Sequence, residues 1–187
     1  MQQIFLGILF LFLNVNLTLG RVALGLFPDF VGYILLLRGA AALSGQIARF
    51  SRMRSLCLGA AIYTGVLYVL DLTGLTAALG WGVYLAAIGE FALRIAASAQ
   101  VVAGMEDAER AYGCGFAAAE LRRAWVAAIA TGAVSFLTMF FPARVLVFIG
   151  VIVSFVGGVL FLCALYRTKQ AFLANDDRLH LQGTDGF

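Results

Sequence analysis

The 187-residue chain is 63% apolar and only 12% charged, with a formal net charge of +3 and a mean hydropathy of +0.97. A soluble domain averages about 45–50% apolar and about 25% charged residues, so this composition excludes a water-covered globule. The pI of about 9.0 follows from arginines at the ends of apolar runs and carries no argument for nucleic acid.

Long apolar stretches, rather than the short alternating strands of an outer-membrane barrel, point to helices, because every backbone polar group in hydrocarbon must be satisfied within its own segment. A spanning helix needs about 20 residues. Six apolar windows run along the chain: Ile4 to Gly20, Pro28 to Leu43, Cys57 to Leu72, Ala77 to Ala97, Ala124 to Phe141 and Ala143 to Tyr166. The expectation is an all-α integral membrane protein with six transmembrane helices arranged as three hairpins. Residues 1–173 then form a single transmembrane domain and 174–187 a polar cytoplasmic tail. Arg38, Arg49, Arg52, Arg54, Arg94, Arg110, Arg122, Arg123, Arg167, Lys169 and Arg178 fall on one side of this arrangement, and only Arg21 and Arg144 on the other. Lys and Arg accumulate on the cytoplasmic side, which places both termini in the cytoplasm.

The first window reads as retained, since it has neither the basic n-region nor the small-residue cleavage site of a secretory signal. Its end is unusual. In Asn14-Val15-Asn16-Leu17-Thr18-Leu19, polar and apolar residues alternate with period two, the signature of extended backbone. Such backbone at membrane depth must be buried in protein or face water. The first hairpin is therefore read in one of two ways. It is broken or re-entrant, with Asn14 and Asn16 as ligand-binding candidates in a cavity, or its helix ends at Leu13 and emerges early.

Pro28 suits a helix start, where its missing N–H has no partner to lose. Asp29 follows in the first turn, where the helix dipole favours a carboxylate by about 0.3–1 kcal/mol. From Pro28 to Leu43 the helix is about 24 Å long at roughly 1.5 Å per residue, short of the roughly 30 Å hydrocarbon core. Asp29 is thus expected below the outer interface, near Arg21, and is a ligand candidate. The run from Leu26 through Leu37 to Gly39, LFPDFVGYILLLRG, resembles a PDF(V/I)GY helix start found in small multi-pass membrane proteins of bacteria. The Glu120-Leu121-Arg122-Arg123-Ala124-Trp125 stretch is similar to a basic-aromatic feature of the same group. This resemblance implies a bacterial cytoplasmic membrane location and several spans, and brings no activity, cofactor or ligand with it.

Asp71 closes the third window. It is read as a turn residue with Thr73 and Gly74 or, if it approaches Asp29, as half of an acidic outer mouth. In the fourth window Ala78, Gly82, Ala86, Glu90, Arg94 and Ser98 recur every four residues and wind along one stripe. Small residues let helices approach closely in lipid, so Gly82 and Ala86 are expected to face protein. Glu90 stands four residues before Arg94, the better orientation for an intrahelical pair, with Arg38 as a further partner. An unpaired charged side chain at the bilayer centre costs about 2.5–3.5 kcal/mol on insertion scales. Glu90 and Arg94 are therefore read either as a clamp between helices or as a solute or proton site. The sixth window repeats the small-xxx-small pattern at Gly150, Ser154 and Gly158, joining its helix to the same bundle or to another subunit.

Gly113-Cys114-Gly115 is read as a helix stop rather than a nucleotide loop, because a charged helical run and not a strand precedes it. Cys57, Cys114 and Cys163 all map to the reducing side, so no disulfide is expected, and their spacing offers no metal site. His180 lies in the tail and leaves a histidine-dependent hydrolase without its base; no cofactor is expected. The reading is a small-solute transporter or membrane solute-binding subunit. The alternatives are a non-catalytic accessory or assembly subunit of a membrane complex and, third, a membrane enzyme acting on lipid. Expected partners are membrane lipid and a membrane protein or a second copy of the chain, with no nucleic acid.

Overall fold

The computed structural model describes residues 1–12, 16–19, 22–25, 28–45, 47–75, 80–113, 115–138 and 144–184, with backbone alone at 16–19, 22–25, 144 and 175–184. Its elements in chain order are α1 (Gln2–Phe12), β1 (Asn16–Leu19), β2 (Val22–Gly25), α2 (Asp29–Leu43), α3 (Ala48–Leu72), α4 (Gly82–Tyr112), α5 (Ala118–Thr138) and α6 (Arg144–Thr184). The period-two segment is extended from Asn16 onward: β1 pairs antiparallel with β2, Asn16 opposite Gly25 and Leu19 opposite Val22. Asn14 lies outside the described residues.

Among the described residues three helices, not six, are long and apolar enough to cross a membrane. They are Ala48–Leu72, Gly82–Tyr112 and Val145–Ala174 within α6, with mean hydropathies of 1.6, 1.4 and 2.9. The expectation of six spans is corrected for physical reasons that differ between helices. The 11 residues of α1 cover roughly 16 Å and the 15 of α2 roughly 22 Å, against a hydrocarbon core of roughly 30 Å. The described part of α5 has 21 residues, but Glu120, Arg122 and Arg123 and its hydroxyl side chains dilute its apolar character.

The apolar faces of the three long helices also argue for lipid. On α3, Leu58, Ile62, Val66, Val69 and Leu72 are about half exposed, and on α6 so are Phe148, Ile149, Ile152, Phe155 and Val156. These follow helical periodicity and form continuous stripes far beyond the scattered apolar exposure of a soluble surface. The chain is a membrane protein on these grounds of helix length and composition.

Helix ends obey local chemistry. Pro28 sits at the N-cap of α2 with φ −62°, its carbonyl accepting from the Val31 N–H at 3.0 Å. α3 ends at Thr73, whose N–H reaches the Val69 carbonyl at 3.1 Å, and Gly74 follows with φ +71°. α4 runs well past Ala97 and stops at Tyr112, where Gly113 adopts φ +63°, a left-handed conformation that favours glycine.

Contacts group the chain into two units, Gln2–Val101 and Val102–Phe187, with the boundary inside α4. In the first unit α2 lies against both α1 and α3, and β2 touches α3. α1 presents Ile4, Gly7, Ile8 and Leu11, and α2 presents Gly32, Tyr33, Leu36, Gly39, Ala40 and Leu43. The two helices run antiparallel and meet through glycine. A methyl group at Gly39 would stand 2.5 Å from Ile4 Cγ1 and 2.9 Å from the Ile4 backbone nitrogen, and one at Gly32 would stand 3.0 Å from the Gly7 carbonyl oxygen. α3 offers Phe50, Met53, Cys57, Ala60 and Thr64 to the same core.

In the second unit α5 and α6 pack along their lengths. Tyr112, Phe116 and Phe172 form a three-ring cluster with centroids 5.5–6.2 Å apart, and Glu109 Oε2 accepts the Ala118 N–H at 2.9 Å, capping α5. The free thiols among the described residues are Cys57, buried, and Cys163, exposed.

Gly39→Val therefore overpacks the α1–α2 contact and should cost about 1–3 kcal/mol, read as a lower unfolding midpoint in detergent. Gly59→Ala, where nothing lies within 4 Å, should leave the midpoint unchanged or raise it.

Candidate functional site

Only a small set of charged side chains lies inside the apolar helices, and three of them meet. Arg94 Nη2 stands 3.0 Å from Asp29 Oδ2 and 3.0 Å from Glu90 Oε1. One nitrogen thus serves carboxylates from α2 and α4, which holds the two acids no further apart than twice that distance. Their side chains are 9% exposed for Asp29, 22% for Arg94 and 31% for Glu90, so the cluster is largely withdrawn but not sealed. Charge-assisted bonds of this length are the strong class, and the guanidinium is the one member whose removal takes the counter-charge from both acids.

The Glu90–Arg94 contact follows from helical spacing. The Asp29–Arg94 contact does not: it joins α2 to α4 across 65 positions of the chain. Two structural facts bring the acids together. The start of α2 lies beside the last turns of α3, with the Phe30 ring 5.6 Å from that of Tyr68, and α4 continues to Tyr112, so Glu90 and Arg94 lie in its first half. Arg38 is exposed, and the Arg21 side chain is outside the description.

Beneath the acids lies Tyr33, one turn along α2 from Asp29 and 0% exposed. Among the described residues its hydroxyl has no hydrogen-bond partner, and neither does Arg94 Nε. The sequence carried a signal for Tyr33 in its four-residue spacing from Asp29, but buried tyrosines in spans usually serve packing alone.

The remaining candidates are placed as follows. Asp71 is exposed at the end of α3, and its carbonyl accepts the Gly74 N–H at 3.1 Å, the geometry of a turn. Gly82 and Ala86 are half-buried; the Ala86 carbonyl accepts from Tyr63 Oη at 3.1 Å. At Gly89 of α4 an added methyl would stand 2.5 Å from that hydroxyl, a position the four-residue stripe passed over. Ser98 is buried and bonds back to the Arg94 carbonyl at 2.7 Å. On α6, Gly150 faces Ser135 and Thr138 of α5, Ser154 is half-buried and Gly158 buried, while Gly157, unmarked by the small-xxx-small pattern, lies against Thr131 and Ala128. For Asn16 the backbone alone is described.

A second feature is a cleft of about 820 Å³ lined by Glu106, Glu109, Arg110, Ala118, Ala119, Arg122, Arg123 and Val126. Glu106 meets Arg110 at 3.8 Å and Arg122 at 3.5 Å, and Asp107 meets Arg110 at 3.5 Å. These are long, largely exposed pairs of small energetic weight, and the acids nearly cancel the arginines.

No family model matches the chain, and neither a curated protein nor a solved structure is significantly similar to it.

Replacing Arg94 by alanine removes the guanidinium that both carboxylates share and should lower stability by a few kcal/mol, measured as the unfolding midpoint in detergent. Arg94→Lys should recover part of the loss, since a single ammonium still answers the charge; wild-type stability in the alanine variant would show that the cluster holds nothing together.

Proposed function

We propose that this protein is a multi-pass component of the bacterial cytoplasmic membrane that binds a small solute, acting as a small transporter or as the membrane solute-binding subunit of a larger one. The observation that carries the reading is the Asp29–Arg94–Glu90 cluster. Ionisable side chains among spanning helices are expensive and mark solute or ion pathways by default, and a pure clamp between α2 and α4 requires only one acid. The second acid exceeds what a clamp needs, and its side chain, 31% exposed, gives the cluster partial access from outside the protein. The hairpin β1–β2 beside α3 supports the same reading, because non-helical backbone in membrane proteins lines cavities.

The arginine distribution favours both termini in the cytoplasm, and that requires an even number of crossings. In this reading α1 and α2 enter and return without crossing, and α5 crosses together with α3, α4 and α6. The turn at Thr73 then faces outward and that at Ser44 inward.

Two measurements test the proposal. In a background without native cysteines, a membrane-impermeant thiol reagent applied to intact cells should label Thr73→Cys and spare Ser44→Cys; the reverse pattern would invert the arrangement. A thermal-shift screen of small cationic, zwitterionic and anionic solutes should find compounds that raise the unfolding midpoint of the wild type. That response should vanish in Asp29→Asn or Glu90→Gln with folding intact, and an undiminished response in both variants would remove the cluster from the site.

A further inference from the structure

We infer that the cleft at the start of α5 is the headgroup site of one bound phospholipid. Arg122 and Arg123 take its phosphate, Glu106 and Glu109 take the primary ammonium of its headgroup, and an acyl chain lies along Val126, Ala130, Val134 and Leu137. None of these residues belongs to the proposed solute site, so the two readings stand or fall separately.

The cleft has the size and the chemistry of a headgroup site. Its volume of about 820 Å³ lies within the about 300–1,000 Å³ of ordinary ligand pockets. Its described lining carries both signs of charge, Arg110, Arg122 and Arg123 beside Glu106 and Glu109. The ion pairs among them are loose, Glu106 facing Arg122 at 3.5 Å and Arg110 at 3.8 Å, against about 2.7–2.9 Å for a strong charge-assisted bond. Arg122 is largely exposed and Arg123 beside it is exposed as well, so both guanidinium groups keep donors for a further anion. Their planar forks match a phosphate bidentately. Glu109 is held at the cleft by the Ala118 N–H, which it accepts on Oε2 at 2.9 Å, and a carboxylate has acceptor sites to spare. A purely anionic ligand would be repelled by these two glutamates. A phosphate with an ammonium a few atoms away answers both signs at once.

The helix face that leads away from the cleft supplies the independent observation. From Arg122 the exposed residues Val126, Ala130, Val134 and Leu137 follow at intervals of four, four, four and three, which is one face of a helix. Valine and leucine on it are more than half exposed. Ala128 and Ser135, buried against Gly157 and Gly150 of α6, mark the other side of α5, so the apolar stripe is turned away from the α5–α6 contact. Val126 to Leu137 covers roughly 16 Å along the helix axis, close to the roughly 15 Å that is half of a hydrocarbon core. The stripe is one leaflet deep. Val126 belongs to both the stripe and the cleft lining, so the chain site and the headgroup site are continuous, and Trp125 beside it stands at the junction where indole rings prefer to lie. A water-soluble phosphate ester would leave the stripe uncovered, and a second protein helix would bring no phosphate to the arginines.

Native mass spectrometry of the full chain reads the occupant directly. Delipidated protein in detergent is offered equal amounts of phosphatidylethanolamine, phosphatidylcholine and phosphatidylglycerol with identical acyl chains. One phosphatidylethanolamine per chain should be retained severalfold in preference to the other two, because choline has no N–H to donate and glycerol carries no positive charge. Combined Arg122→Gln and Arg123→Gln should abolish retention, and Glu106→Gln should turn the preference toward phosphatidylglycerol; this reversal keeps the test decisive even if the double variant fails to fold. Glycerophosphoethanolamine, the same headgroup without acyl chains, should not be retained at the same concentration. Equal retention of the three lipids, retention undiminished in the folded double variant, binding of the soluble headgroup, or a lipid-free dimer of the chain would each overturn the inference. A solute response without lipid retention would sink the lipid site alone, and lipid retention without a solute response would sink the solute site alone.

Discussion

One guanidinium shared by two carboxylates is the constraint around which the first unit is arranged. Between apolar helices a charge is tolerated only where its counter-charge is close and geometrically good, and Arg94 meets both acids at 3.0 Å. Because Asp29 opens α2 and Glu90 with Arg94 lies in α4, this contact sets how far along α4 the start of α2 can sit. It also decides which face of α2 turns inward. Tyr33 follows Asp29 by four residues and is carried to the same side, while Gly32 and Gly39 take up the opposing contact with α1.

Close packing supplies what apolar burial cannot. In lipid, one aliphatic side chain gains little by exchanging a hydrocarbon neighbour for a protein one, so helices associate through backbone proximity and short polar contacts. That explains the repeated use of glycine wherever helices touch: Gly7, Gly32 and Gly39 between α1 and α2, Gly89 under the Tyr63 hydroxyl, and Gly150 and Gly157 between α5 and α6. It also explains why Tyr63 spends its hydroxyl on the Ala86 carbonyl rather than on a side chain.

Local signals were legible where a short stretch of chain decides the outcome. The period-two alternation marks extended backbone at β1, Pro28 and Asp29 mark the start of α2, Gly113 marks the end of α4, and the Glu90–Arg94 pair follows from helical spacing alone. Signals that need the neighbouring helix failed in instructive ways. A four-residue stripe drifts around a helix whose period is 3.6 residues, so the pattern that marked the tight contact at Gly150 passed over those at Gly89 and Gly157. Counting apolar windows gave six candidate spans, because an apolar window shows that residues avoid water but does not measure how long the uninterrupted helix is.

Composition by itself determined that this polypeptide belongs in a membrane as helices, since so few charged residues cannot clothe it in water and hydrocarbon accepts only internally bonded backbone. Tertiary structure decided which helices are long enough to cross and that Asp29 on α2 meets Arg94 on α4. The reason is the range of the forces involved. Hydrogen bonding and periodicity act within a few residues and can be read along a line, whereas a contact spanning 65 positions depends on the summed lengths and crossings of every helix between them.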